Sequence, residues 1–289
     1  MSEEKQNIAK GEISIDIKKV ISNKNPELLK KIPKFIVKYL KRIIHQDELN
    51  IFLSQHGEKK GLEFVSATIN YLGIDYSAEG LENIDPNGRY IFVANHPLGG
   101  LDGLIFTNEI GKLFSNIKFV VNDFLANISN MDNIFVPVNK VGKQSVSYAR
   151  KIEEMFASDS QILYFPAGLC SRKIRGKITD LEWKKSFIQK AVKHGRDIIP
   201  VYFYGKNSPF FYNLAKVRAF FKIGVNIEMM YLPSEMFKQK GKKMKLVIGK
   251  KIPHTTFNKS KKPIEWAKDV KNLVYKLDQN PDIELQDII

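Results

Sequence analysis

Apolar residues recur at two different periods along this chain, and the change falls near Gly73. Before it, "NPELLKKIPKFIVKYLKRII" sets Leu28, Leu29, Ile32, Ile36, Val37, Leu40 and Ile44 at helical spacing, with lysines on the other face. Pro33 kinks or divides that run. A second helix is expected over residues 60–72. Beyond Gly73 the apolar stretches shorten. Strands are predicted in "GIDYSAEG" (73–80) and "RYIFVAN" (89–95), and over residues 118–121, 134–138, 161–165, 198–204, 226–232 and 245–248. Helical spacing is read over residues 102–115, 143–158, 182–194, 208–221 and 263–278. "DPNG" (85–88) is a turn, because Pro presets φ and Gly tolerates a positive one. This alternation predicts an α/β fold: a mixed, largely parallel sheet flanked by helices, with an N-terminal helical segment. The expected division is residues 1–72, a helical segment packed on the core, and residues 73–289, the α/β domain. No Pro/Gly/Ser linker, internal repeat or low-complexity tract interrupts the chain.

Composition narrows the picture. With 43% hydrophobic and 11% aromatic residues among 289, the chain buries a sizeable core. Its single cysteine, Cys170, excludes an intramolecular disulfide framework and a multi-cysteine metal site, and fits a reducing compartment. The opening "MSEEKQNIAKGEISIDIKK" has no apolar core, so no secretory signal is expected. No run reaches the roughly 18 apolar residues of a spanning helix. A net charge of +15 favours anionic lipid, nucleic acid or an acidic carrier protein as partner. Basic clusters occur at "SRKIRGK" (171–177) and "KQKGKKMK" (238–245).

Candidate chemistry centres on "VANHPLGGLDG" (93–103). A buried strand delivers His96 to its carboxyl end, the edge of an α/β sheet where ligands bind. Pro97, Gly99 and Gly100 form a tight turn. Asp102 then stands at the start of a helix, either as its cap or reaching back to a ring nitrogen of His96. A His so held takes a proton from an alcohol at neutral pH, and if the alcohol belongs to the substrate no Ser or Cys nucleophile is needed. A turn that merely contains polar residues is the structural alternative. Two further segments end strands: "ILYFPAGLCSRK" (162–173) and "DIIPVYFYGKNS" (197–208).

With "NHPLGGLD", "FPAGLCSR" and "IIPVYFYG" in that order over roughly residues 90–206, the chain resembles the glycerolipid acyltransferase family, of the lysophosphatidate acyltransferase type. The resemblance implies acyl transfer from a thioester donor to a hydroxyl at a membrane surface, with His96 as base and Asp102 as its orienter. Departures from the pattern carry information. Five residues, rather than the family's four, separate His96 from Asp102, and Leu101 takes the usual Asp position. The family's Glu is Ala167, its Thr-Arg pair is Leu169-Cys170, and Arg172 comes two places late. In "NIFVPVNK", Asn139 and Lys140 stand near the family's second arginine. Lysine does not copy the bidentate guanidinium grip on phosphate, which argues against a phosphomonoester acceptor. The wording is similar to that of bacterial O-acyltransferases making ornithine or glycine lipids, and to haemolysin-like relatives. The implied acceptor is the 3-hydroxyl of an N-acylated amino acid, or else a lysophospholipid. The implied donor is acyl carrier protein or coenzyme A, used as co-substrate without a further cofactor or metal.

The expected site comprises His96 and Asp102 for catalysis, with Asn95, Gly99, Gly100, Lys140, Phe165, Pro166, Gly168, Ser171 and Arg172 binding substrate. Amides of Gly99–Gly100 or of the Gly168 region are the candidate oxyanion donors. Each flanking residue also has a structural reading: Asn95 and Ser171 as turn caps, Arg172, Lys173 and Arg175 as a solvated loop, Cys170 as a small apolar filler. His45, His56, His194 and His254 lack partners at metal-ligand spacing. The segment 206–221 mixes aromatics with Lys and Arg, as a bilayer-dipping or core helix does. The expected location is cytoplasmic, peripheral on the inner face of the membrane. Two rival classes are a thioester or lysophospholipid hydrolase and a non-catalytic basic binding module. No RNA-recognition or zinc-finger signature supports a nucleic-acid partner.

Overall fold

A computed structural model describes residues 14–24, 26–122, 125, 128–138 and 145–289. Contacts divide the chain into two units, residues 1–59 and 60–289. The first is helical: α1 (Ile17–Lys24), α2 (Pro26–Lys31), α3 (Lys34–Ile43) and α4 (Gln46–His56). Pro33 precedes α3 and separates it from α2, so it divides the apolar run rather than kinking one helix. The helix expected over 60–72, α5 (Gly61–Tyr71), belongs by its contacts to the second unit, where Leu62 packs against Gly111.

The second unit is built on a seven-stranded sheet. Its strands are β1 (Asp75–Glu79), β2 (Tyr90–Ala94), β3 (Ile117–Asn122), β4 (Phe135–Val138), β5 (Gln161–Tyr164), β8 (Asp197–Phe203) and β9 (Lys243–Ile248), in the order β1-β9-β8-β2-β5-β3-β4. Every neighbouring pair is parallel except β8 and β9. A separate hairpin, β6 (Arg172–Ile174) and β7 (Lys177–Thr179), follows β5. The connecting helices are α6 (Gly100–Leu113), α7 (Ser145–Ala157), α8 (Ser186–His194), α9 (Pro209–Phe220), α10 (Leu232–Phe237) and α11 (Pro263–Lys276). This is the mixed, largely parallel α/β sheet that the apolar pattern predicts.

The central strand β2, "YIFVA", is buried at every position, as a parallel strand covered on both faces must be. Successive side chains alternate between faces. Ile91 and Val93 join the core under α7, α8 and α11 with Trp183, Phe187 and Trp266. Phe92 points to the other face and packs edge-on against Phe106 of α6 and against Phe114. Phe106 in turn meets Phe119, Phe165 and Phe203. This aromatic layer sits one helical turn from Asp102 and fixes the start of α6 against the sheet.

At the opposite edge the fully buried Arg196 donates to the carbonyls of Phe156 (2.7 Å), Ser160 (2.8 Å), Tyr90 (3.3 Å) and Ser158. Burial lowers its guanidinium to about 10. One predicted strand is corrected. Residues 226–232 form a 3-10 turn, Ile227–Tyr231, leading into α10, with Pro233 in the first turn of that helix. Glu228 within it is completely buried and needs cationic partners that a covered sheet face does not supply.

Candidate active site

β2, β5 and β8 run parallel and side by side, so their carboxyl ends open on one edge. The chain leaving β2 turns at once. Gly99 adopts φ +78° and ψ −121°, a conformation open to glycine and strained for other residues, and a Cβ there would meet Leu232 at 2.8 Å. The turn swings α6 back over the strand end and brings the two predicted catalytic residues together. His96 Nδ1 lies 3.0 Å from Asp102 Oδ1. An ionised carboxylate only accepts, so Nδ1 carries the proton and Nε2 presents its lone pair. Asp102 is fully buried, whereas the His96 side chain is 17% exposed. Asp102 Oδ2 also accepts from the Leu98 amide at 2.8 Å, and Oδ1 from the Gly103 amide at 3.0 Å, so the carboxylate both closes the turn and orients the ring. The five-residue spacing is thus absorbed in the turn, and Leu101 is wholly in the core.

Phe165, just past the end of β5, stacks on the imidazole with centroids 3.9 Å apart and planes inclined by 17°. Among the described residues, none hydrogen-bonds to Nε2 or to the amides of Gly99 and Gly100, the latter in the first turn of α6 where such donors are unsatisfied by the helix itself. The amide of Gly168 is engaged: it donates to Phe165 O at 3.0 Å. The amides of Gly99 and Gly100 are thus unpartnered among the described residues, and that of Gly168 is not.

Other expected residues surround the pair from behind. Asn95 is buried; its Nδ2 donates to Phe203 O (2.9 Å) and its Oδ1 accepts from Phe203 N (2.6 Å), tying the turn to β8. The Ser171 amide donates to His96 O at 2.7 Å, and its hydroxyl donates to Asp180 Oδ1 at 2.6 Å. Pro166 is buried, and its carbonyl accepts from Lys184 N. The Arg172 guanidinium faces inward, over the Phe211 ring, donating to Glu228 Oε1 (2.8 Å) and Cys170 O (2.6 Å). Arg218 Nε stands 2.9 Å from Glu228 Oε2 as an ion pair whose N–H is not aligned for a hydrogen bond. Cys170 is fully buried, and desolvation pushes its thiol up to about 11, which removes it as a nucleophile at neutral pH. Lys140 and Asn139 lie outside the described residues. His194 and His254 pair with Glu153 and Asp197.

One buried carboxylate is not foreshadowed by the sequence. Asp180 Oδ1 accepts from the His96 amide (3.2 Å) and from Ser171 Oγ, and Oδ2 from Trp183 Nε1 (2.9 Å). Its own amide donates to Tyr275 Oη, and Lys271 Nζ donates to its carbonyl. Burial raises its carboxyl above the usual range. Nothing in the spacing of residues 84 apart announces the contact with His96; Trp183, three residues on between Glu182 and Lys184, is a local cue.

The family model described as "Acyltransferase" matches residues 19–283, and the chain belongs to that family. Two curated relatives, both named lyso-glycine lipid O-acyltransferase, come from Bacteroides thetaiotaomicron and Phocaeicola vulgatus. Each is 47% identical over 264 residues, covering 91% of this chain and 97% and 95% of the relatives. The crystal structure of the 1-acyl-sn-glycerophosphate acyltransferase PlsC from Thermotoga maritima is similar over 82% of this chain and 83% of that one. That pair shares 20% identity and a TM-score of 0.48. This protein is an acyltransferase of lipid metabolism.

Proposed function

We propose that the chain moves a fatty acyl group from an acyl-carrier-protein or coenzyme A thioester to the 3-hydroxyl of an N-acylated glycine lipid. The observation that carries this reading is the His96–Asp102 pair, with Nε2 open at the carboxyl edge of β2. The names of the two 47% relatives support the glycine lipid over a lysophospholipid as acceptor. The acceptor oxygen attacks the thioester carbonyl carbon as His96 Nε2 takes its proton. Asp102 stabilises the imidazolium that forms. The tetrahedral oxyanion accepts from the Gly99 and Gly100 amides, a contribution of about 3 kcal/mol for a good donor. The C–S bond then breaks, and the leaving thiolate takes the proton from His96. No metal or redox group enters these steps. An acidic carrier protein suits a chain of charge +15.

The lipid substrates also call for a membrane surface. Among the described residues no helix is long and apolar enough to cross a bilayer. Val217, Phe220 (81% exposed), Phe221 and Val225 instead stand in water on and just after α9, beside the exposed Lys216 and Lys222. This combination suits shallow insertion into an anionic interface. The test is purified protein with acyl thioester and N-(3-hydroxypalmitoyl)glycine, read by mass spectrometry. A diacyl product that forms only with both substrates supports the reading. Free fatty acid released at the same rate without acceptor would make the protein a hydrolase instead. Phe220→Glu is expected to weaken binding to anionic vesicles.

A further inference from the structure

Phe165 stands among the expected substrate-binding residues, yet its ring lies flat on the imidazole of His96, with centroids 3.9 Å apart and planes inclined by 17°. This contact is unlike its neighbours in the aromatic layer. Phe106 meets Phe92, Phe119 and Phe203 edge-on, with centroids 6.4, 6.2 and 5.5 Å away and planes inclined by 87°, 83° and 72°. Two neutral rings favour such contacts, at roughly 4.5–7 Å, because the negative face of one meets the positive rim of the other. A close stack of face on face gives that complementarity up. A positive charge on one ring reverses the balance: a cation within about 6 Å of a phenyl centroid is attracted to the ring face.

The fold holds the stack from several sides. Proline disfavours helical backbone at the residue before it, and ahead of Pro166 the ring of Phe165 carries on the alternation of β5. It follows Leu163, which stands in register with Phe92 of β2. The Phe165 ring packs against Phe106 (5.8 Å) and Phe119 (5.4 Å), and its carbonyl accepts from Gly168 N at 3.0 Å. Gly103 leaves the room for this. A Cβ there would lie 3.3 Å from Phe119 Cε1 and 3.8 Å from Phe165 Cε2. The amide of the same Gly103 donates to Asp102 Oδ1. The imidazole is therefore fixed twice, at its Nδ1 edge by Asp102 and on one face by Phe165.

We infer that Phe165 is a positioning residue for the base: its ring sets the plane of the His96 imidazole and holds the imidazolium formed during acyl transfer more strongly than the neutral ring. This rests on the reading of His96 as base proposed above. In that reaction the proton of the acceptor hydroxyl resides on Nε2 from the attack on the thioester until the leaving thiolate takes it. Only in that interval does the imidazole carry a charge, shared by its two nitrogens. An interaction that strengthens with that charge speeds the step, whereas one equal in both states does not. Asp102 supplies one such interaction at the edge of the ring, and Phe165 a second from its face. The His96 side chain is 17% exposed and Phe165 is half-buried, so water screens the attraction less than at an open surface.

The experiment replaces Phe165 by mono-, tri- and pentafluorinated phenylalanine, which nearly keep the outline of the ring and progressively weaken the negative potential of its face. Phe92, in the same layer but packed on Phe106 and Phe114, carries the same series as a control. Transfer from a palmitoyl thioester (of acyl carrier protein or coenzyme A, whichever the wild type uses) to N-(3-hydroxypalmitoyl)glycine is followed in single turnover, so that product release does not mask the proton transfer. At position 165 the rate constant is expected to fall at each step, by about tenfold in all, with the half-saturating concentration of each substrate changed by less than about twofold. At position 92 no such slope is expected. Should the pentafluoro protein fail to fold, the first two steps decide by the same slope. A flat series at 165, or an equal slope at 92, overturns the inference. So does a loss carried by half-saturation with the rate constant intact, which would put Phe165 against substrate instead of the base. Wild type that transfers no acyl group, or turnover that survives His96→Ala, would sink the reading of His96 as base and this inference with it, a result distinct from a flat series in an enzyme that still needs His96.

Discussion

Two turns leave adjacent parallel strands on the same edge, and they are built to opposite ends. After β2, residues 95–102 leave polar atoms without a partner among the described residues: His96 Nε2 and the amides of Gly99 and Gly100. After β5, residues 165–172 turn their polar atoms in. Ser171 bonds to Asp180, Arg172 to Glu228, and Cys170 is sealed. Both turns carry residue types that suggest chemistry. The difference lies in where the second one finds its partners: a buried carboxylate at 180 and another at 228. The first turn is the proposed site, and the second is its brace.

Substitutions sharpen that contrast. The largest expected effect is His96→Ala, a loss of about 10³-fold in kcat/KM with a small fall in Tm, since the ring is part-exposed and gives up its Asp102 bond and its stacking on Phe165. Retained turnover in steady-state assays would move the base elsewhere. Gly99→Ala comes next. Its Cβ presses on Leu232 and its backbone is strained, so a displacement of the Gly99–Gly100 amides should lower kcat by up to about a hundredfold. Arg172→Met tests the brace. It leaves the buried Glu228 with Arg218 alone, and denaturant unfolding should register a loss of about 3 kcal/mol. Its kcat should fall far less than that of His96→Ala; an equal fall would put Arg172 in contact with substrate. The smallest effect concerns Cys170. With the thiol raised to about 11, the folded state holds its proton more firmly than the unfolded chain does. Any stabilisation from this is present at neutral pH and lost as pH climbs through 11. Alkylation by iodoacetamide at pH 7.5 should leave the native enzyme unlabelled and active, and label it once unfolded.

The same contrast explains what is legible in the sequence. β2, β5 and β8 are apolar runs of the right length between turn signals, and His96 and Asp102 lie six residues apart, within reach of local reasoning. The second turn depends on partners far along the chain. "SRKIRGK" looks like a solvated loop because three-residue strands are too short to show alternation. The turn of its hairpin, Arg175 (φ +47°) followed by Gly176 (φ +85°), is the available hint. "NIEMMYL" has the residues of a strand, yet Glu228 within it is wanted by Arg172 and Arg218, and tertiary pairing overrides local propensity. Asp180 is invisible for the same reason.

Asn95 gives the edge one more property. Its carboxamide meets both the N–H and the C=O of Phe203, copying the two bonds that a strand residue would exchange with a neighbour. The zipper between β2 and β8 therefore closes one rung further than the main chain alone permits, up to the residue before the imidazole. The turn from Pro97 to Leu101 thus starts from a root held to β8 on one side and closes on Asp102 at the other. Exchanging the amide for an acid would set like charges against the Phe203 carbonyl and loosen that root without touching a single reacting group.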